Sequence, residues 1–401
     1  MENEASMSYS YSSGAELDCP DGQWIVESLD HAHSIELIIP FSQRFMLGIV
    51  APIITIIGLF LNLAFFFVLI RVPDMHTTTN FYLANLAIAD CLFLIFSTVI
   101  NMWQSMNMPI TGAQPFQTDY GCGMFFWMNY LCYFASISFV TLVTLDRYTA
   151  VCHAIRYRRT SRTKIRTTAI AAAAWGVACV FAAGVLPNYI QVQRHCYRWP
   201  ADEEFFNGNG FSDVDVVNFC YQSISIGISP AFLVIQIVPF IIAMIASLYC
   251  YINIISKFSN SGSSARRESL RRQQKEHKKR RNQIALMLLV MASCFFICEV
   301  PFLVSSFIFT HELRSGTDIS HETKTILTIV SRIFLYLNSS INPLIYSAIS
   351  PTYRRAFVTA FSIQNGRQGK SSYRVASHTK MVTLVSMASE KSTNDGKQAD
   401  V

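Results

Sequence analysis

The sequence predicts an all-α membrane protein: a seven-transmembrane helix bundle with a short amphipathic eighth helix and an extracellular β-hairpin loop. Three observations predict it. Of 401 residues, 51% are hydrophobic and only 14% charged, against about a quarter charged in a soluble domain. Seven apolar stretches, at roughly 45–71, 79–106, 120–152, 166–188, 228–256, 283–309 and 322–348, reach the ~20 residues that a membrane-crossing helix needs. None alternates with period two, and only helices or closed barrels satisfy their backbone in lipid.

Basic residues in short loops orient the bundle. The first 43 residues hold no Lys or Arg but eight acids, from Glu2 to Glu36. The second inner loop carries Arg156, Arg158, Arg159, Arg162, Lys164 and Arg166, and the third runs from Lys257 to Arg281 with ten basic residues. The N-terminus is therefore expected outside and the C-terminus inside. The net charge of +6 comes mostly from this inner belt, which points to topology and lipid contact rather than nucleic acid.

The chain divides into an outer tail (1–43), a membrane domain with its amphipathic helix (44–361) and an inner tail (362–401). Both tails are polar and expected to be disordered. The second outer loop has two extended runs, Tyr189–Trp199 and Val214–Ser223, about an Asn207-Gly208-Asn209-Gly210 turn. That is a hairpin pattern. The basic half of the third inner loop is expected to continue the sixth helix inward. After the seventh span, Ser350-Pro351-Thr352-Tyr353-Arg354-Arg355 opens a short helix, with Pro at its first turn and Arg placed for phosphates. Of eleven cysteines, Cys19, Cys122, Cys196 and Cys220 lie outside, where an even count in an oxidising space invites two bridges. No nucleophile-and-base set or metal cluster appears, so an enzyme is not expected.

Several motifs recur along the spans. Gly58 and Asn62 lie in the first, Asn85-Leu86-Ala87-Ile88-Ala89-Asp90 in the second, and Asp146-Arg147-Tyr148 at the inner end of the third. Trp175 is in the fourth, Pro301 in the sixth, and Asn342-Pro343-Leu344-Ile345-Tyr346 in the seventh. In this order they resemble the rhodopsin-like (class A) G-protein-coupled receptors, and the neuropeptide receptor group among them. The likeness covers about residues 45–360.

That resemblance implies roles. Asp146, Arg147 and Tyr148, with Asn342, Pro343 and Tyr346, are implied for G-protein activation, with Arg147 held by Asp146 at rest. Asp90 is a carboxylate in mid-membrane, costing about 2.5–3.5 kcal/mol on insertion scales. It is either hydrogen-bonded structurally or, as in the family, holds an allosteric sodium ion with Ser136, Asn338, Ser339 and Asn342; no other cofactor is expected. Cys122 is implied to bridge to the second outer loop, with Cys220 the better partner and Cys19–Cys196 a second pair; the swapped pairing stays open.

The sixth span departs from the family pattern. Where the family has Trp, Phe295-Phe296-Ile297-Cys298-Glu299-Val300-Pro301 has Glu299. Its carboxylate would meet a ligand cation, pair with Arg332, or sit protonated. In the fifth span the family's Tyr reads Ser247, and Tyr249 is its nearest substitute. Asn129 replaces the Asp of amine receptors, and no Lys occurs in Ile329–Asn338 to hold retinal.

The expected pocket wall is Asn101, Gln104, Phe126, Asn129, Tyr130, Tyr133, Glu299, Phe302, Arg332 and Tyr336. Acids in the outer loop and tail would draw a cation to the mouth. The implied partners are an extracellular peptide, basic or amidated, a heterotrimeric G protein, receptor kinases and arrestin on the Ser/Thr-rich inner tail, and membrane lipids. Nucleic acid is not expected. The location is the plasma membrane, multi-pass. A lipid or small metabolite as ligand is the alternative, and a transporter or channel the remoter one.

Overall fold

A computed structural model describes residues 25–28, 34, 37–107, 110–153, 157, 164–188, 191–198, 214–221, 228–259, 268–317 and 319–362. Seven long helices cross in turn: α1 (Phe41–Arg71), α2 (Thr78–Asn107), α3 (Asp119–Cys152), α4 (Lys164–Val185), α5 (Ile228–Ser259), α6 (Glu268–Ser315) and α7 (His321–Ile349). A shorter α8 (Pro351–Phe361) comes after them. α7 packs on both α6 and α1, which closes the ring, while α3 touches α2, α4, α5 and α6 and is the most buried helix.

The first six helices are long and apolar enough to cross a membrane. α7 is 29 residues long but more polar. It resolves the conflict by phase. Thr325, Ser331, Asn338, Ser339, Ser340 and Asn342 are buried in the bundle, and Ile326, Val330, Leu337 and Leu344 face out. A helix whose polar stripe turns inward satisfies lipid with its other side.

Local chemistry sets the helix ends. α4 stops in a 3-10 turn at Leu186-Pro187-Asn188, because proline lacks the N–H that a continuing helix needs. α6 starts at Glu268, so the basic half of the third inner loop is helical as expected. α1 starts at Phe41, a few residues early, through a π-helical turn at Met46–Val50. Thr118 caps α3 by accepting from the Gly121 N–H, and Ser320 caps α7 through the Thr323 N–H. In α8, Tyr353, Ala356 and Ala360 are buried and Arg354 and Arg355 exposed, the amphipathic pattern expected of it.

The outer hairpin is present as β2 (Gln191–Arg198) paired antiparallel with β3 (Val214–Tyr221), in register from Gln191↔Tyr221 to Arg198↔Val214. Cys122 is bonded to Cys220, Cα–Cα 5.6 Å, which ties β3 to the outer end of α3. Asp119 accepts from the Val192 N–H at 2.9 Å, and Arg194 donates to the Gln117 carbonyl at 3.1 Å. A small second core of Ile110, Ala113, Tyr197 and Val217 seats this lid.

The outer tail corrects an expectation. Instead of being wholly irregular, it contributes β1 (Ile25–Ser28), parallel to β2, with Val26 opposite Cys196. β2 would otherwise present an unpaired backbone edge, which the extended Ile25–Ser28 segment satisfies. Cys196 is itself disulfide-bonded. Its expected partner Cys19, the 207–210 turn and the tail from 363 onward lie outside the described residues.

Gly58 marks the tightest helix contact. A Cβ there would collide with the Ser340 hydroxyl and come within 2.8 Å of Leu94 Cδ1. Gly176 has nothing within 4 Å. Alanine is the better helix former by ~1 kcal/mol, so Gly176→Ala should hold or raise the thermal unfolding midpoint in lipid nanodiscs. Gly58→Ala should lower it, by an overpacking cost of about 1–3 kcal/mol. Equal shifts in the two variants would contradict this packing.

Candidate functional site

Three polar regions lie in line down the bundle. The outermost is a cavity of about 280 Å³ lined from α2, α3, α5, α6 and α7. Phe126, Asn129, Tyr130, Tyr133, Glu299, Phe302 and Arg332 line it, as the sequence suggested. Their rings interlock: Tyr133 meets Phe302 edge-on at 5.9 Å, and Tyr130 meets Phe232 edge-on at the same distance.

Three expected wall residues are elsewhere. The Tyr336 hydroxyl is fully buried, accepts from Asn101 Nδ2 at 2.9 Å and donates to Ser97 at 3.1 Å. Gln104 donates to the Ile110 carbonyl at 3.2 Å, under the lid. These side chains lock α2 to α7 and to the loop, so none of the three lines the cavity. The lining that the sequence did not reveal includes Ser305, Ser306, Phe309 and Thr310 on α6, and Thr328, Ser331 and Leu335 on α7. They continue the 3–4 residue spacing through Glu299–Phe302 and Arg332, the one signal that would have found them.

Glu299 stands at the cavity floor, 3% exposed. Its Oε1 accepts from Asn338 Nδ2 at 2.8 Å, while Oε2 has no hydrogen-bond partner among the described residues. Of the three alternatives, the pairing with Arg332 is not formed among the described residues. Arg332 lies six residues before Asn338, about 9 Å further along α7 at 1.5 Å per residue, and the carboxylate takes the Asn338 amide instead. Arg332 also lines the cavity, without an ion-pair partner among the described residues.

The second region surrounds Asp90. Its Oδ2 accepts from Asn342 Nδ2 at 2.9 Å, and the Ser339 side chain lies beside it. Asn342 Nδ2 also reaches the Asn338 carbonyl at 3.3 Å. Asn62 donates to the Ser339 and Gly58 carbonyls, which brings α1 in. Asp90, Ser136, Asn338, Ser339 and Asn342 are all buried. One carboxylate with hydroxyl and amide oxygens is the donor set of a hard cation. No group of three or more His, Cys, Asp or Glu is found among the described residues.

The third region is the inner end. Thr79 Oγ1 donates to the buried Asp146 carboxylate at 2.5 Å, and the Arg147 guanidinium donates to the same Thr79 oxygen. Thr79 thus joins the two charges, a role that the sequence did not suggest. Tyr148 stacks edge-on against His153 at 5.4 Å and lies near Tyr249 at 6.1 Å. The inward-facing tyrosine of α5 is Tyr251, buried and accepting from Thr144 at 3.2 Å. Tyr249 is 59% exposed and does not substitute for Ser247. It lies about 200° round the helix from that position, whereas Tyr251 is one turn on. Tyr346 and Pro343 are buried, and the Tyr346 ring packs on Tyr353 at 5.5 Å. Tyr353 in turn donates to Asn80 Oδ1.

The sequence is similar to those of known proteins. Residues 61–346 match the family described as 7 transmembrane receptor (rhodopsin family). Growth hormone secretagogue receptor type 1 of Mustela putorius furo is 25% identical over 364 residues, covering 90% of this chain and 93% of the relative. Neuromedin-U receptor 2 of Mus musculus is 28% identical over 320 residues, covering 77% and 73%. Somatostatin receptor type 2 of Sus scrofa is 25% identical over 309 residues, covering 76% and 74%.

The shared hydroxyl at the inner end can be checked directly. Thr79→Ala takes one donor from a buried carboxylate and an acceptor from Arg147, at a cost of about 1–3 kcal/mol. Thr79→Ser keeps both bonds. The alanine variant is expected to unfold at lower temperature than the parent and the serine variant close to it; an alanine variant as stable as the parent would remove Thr79 from the inner lock.

Proposed function

This chain belongs to the rhodopsin family of seven-transmembrane receptors, and we propose that it receives an extracellular basic or amidated peptide and answers it by activating a heterotrimeric G protein. It is a multi-pass membrane receptor and not an enzyme. The observation that carries the ligand class is Glu299, a buried carboxylate with one oxygen free at the floor of an aromatic cavity. A basic group would supply the missing partner, and Arg332 higher in the cavity would meet a terminal carbonyl or carboxylate. The names of three relatives add support, since they are those of receptors for growth hormone secretagogue, neuromedin-U and somatostatin. We place the chain in the plasma membrane with its acidic N-terminus outside, where those acids steer a cation to the mouth.

Signalling requires a ligand that binds the active arrangement better than the resting one. Glu299, Asn338, Asn342 and Asp90 form one chain of hydrogen bonds from the cavity floor to mid-membrane. Pulling Glu299 toward a cation would shift Asn338 and, through α7, Tyr346 and Tyr353. At the inner end, release of Arg147 from Thr79 would free its guanidinium for the G protein. A sodium ion, if bound, would neutralise Asp90; Asp90 and the Ser136, Asn338, Ser339 and Asn342 side chains have the oxygens to hold it. The inner tail, phosphorylated by receptor kinases, would recruit arrestin, and Arg354 and Arg355 would rest on lipid phosphates.

Two measurements test this reading. In cells expressing the chain, a neuropeptide library read by calcium and cyclic AMP should yield active peptides with basic or amidated ends. Glu299→Gln should then weaken basic agonists by tens- to a thousand-fold, the loss expected on removing one partner of a desolvated charge pair, about 2–5 kcal/mol. Full potency of a basic agonist on that variant would refute the contact. For the ion, purified receptor should unfold at higher temperature in sodium chloride than in choline chloride, and Asp90→Asn should abolish the difference. A sodium response that survives the substitution would remove Asp90 from the site.

A further inference from the structure

The cavity does not end at Glu299. Its lining includes Ser136, Asn338 and Ser339 beside Glu299, and Ser339 lies next to the Asp90 carboxylate. The cavity and the mid-membrane oxygen cluster thus share Ser136, Asn338 and Ser339. Glu299 and Asp90 hang from the same strip of α7. Asn338 donates its amide to Glu299, and its carbonyl accepts from the Asn342 amide that also binds Asp90. Glu299 Oε2 has no hydrogen-bond partner among the described residues, in a side chain only 3% exposed. A buried carboxylate with one oxygen unpaired among the described residues, beside a cavity that Ser136, Asn338 and Ser339 also line, suits a cation.

Resting on the reading of this cavity as a ligand site, we propose that Glu299 makes the cavity floor a cation-binding position that shares Asn338 and Ser339 with the Asp90 cluster. A ligand's basic group and an inorganic cation then exclude one another there. The shared chemistry is a monovalent cation, supplied by sodium or by a guanidinium or ammonium group. Two such ions drawing on one set of oxygens repel at short range in a low-dielectric interior. Exclusion differs measurably from coupling between separate sites. Under exclusion, the apparent dissociation constant of one cation rises in proportion to the other without limit; coupling between two sites saturates at a fixed factor.

The probes are methylguanidinium chloride and sodium chloride, titrated into the full-length receptor in nanodiscs, with choline chloride holding ionic strength constant. Methylguanidinium is expected to raise the unfolding midpoint. The concentration giving half that effect should grow in proportion to sodium with no plateau, and Glu299→Gln should raise it at least tenfold. A plateau, or no dependence on sodium, would mean separate sites and overturn the inference. An unchanged methylguanidinium response in Glu299→Gln would overturn it as well. If that variant does not fold, the competition curve of the parent decides alone. Because no peptide is used, the two readings separate. Competition in a receptor that answers no peptide overturns only the proposed ligand class, and a plateau in a receptor that does answer one overturns only the shared floor.

Discussion

Polar side chains on a membrane-crossing helix have one place to go, and α7 is built around that constraint. Water is absent from the bilayer core, so each hydroxyl and amide there needs a partner inside the bundle. The stripe from Thr325 to Asn342 therefore faces inward and finds α1 through Asn62, α2 through Asp90 and Asn101, and α6 through Glu299 and Ser305. That single requirement sets the rotation of α7, closes the ring against α1 and lays a continuous polar column through the protein. Apolar contact could slide by a residue at little cost. Hydrogen bonds in a low dielectric are directional, and leaving one unmade is expensive.

The column also explains why the site sits where it does. Proline at 301 removes a backbone N–H from α6, and hydroxyls of Ser305 and Ser331 gather on the Pro301 carbonyl. A carboxylate at 299, smaller than an indole, leaves the space beneath the aromatic rings open to Ser136 and Ser339. Above it, the disulfide from Cys122 to Cys220 and the small core of Ile110, Ala113, Tyr197 and Val217 hold the sheet across the outer end. The rigid pieces are thus the walls and the lid, and the exchangeable partner is whatever meets Glu299 and Arg332.

At the opposite end, charge is managed by an uncharged residue. Thr79 links Asp146 and Arg147, and Tyr353 on α8 reaches Asn80 one residue along α2. The start of α2 is therefore where α3 and α8 are both anchored.

By itself the sequence determined the number and span of the helices, the amphipathic eighth helix, the hairpin and the family's motifs. Those come from composition and period, which are local properties that lipid enforces along the chain. It also brought seven of the ten expected wall residues to one cavity. Which partner each polar group takes was decided only in three dimensions. Glu299 reaches Asn338 and not Arg332, Tyr251 and not Tyr249 turns inward, Tyr336 and Asn101 bond each other instead of facing the cavity, and Ile25–Ser28 joins the outer sheet. Each outcome depends on the rotation and height of one element against another. A difference of about 100° per residue or 1.5 Å of rise separates a cavity residue from a buried lock, and packing of the whole bundle sets it.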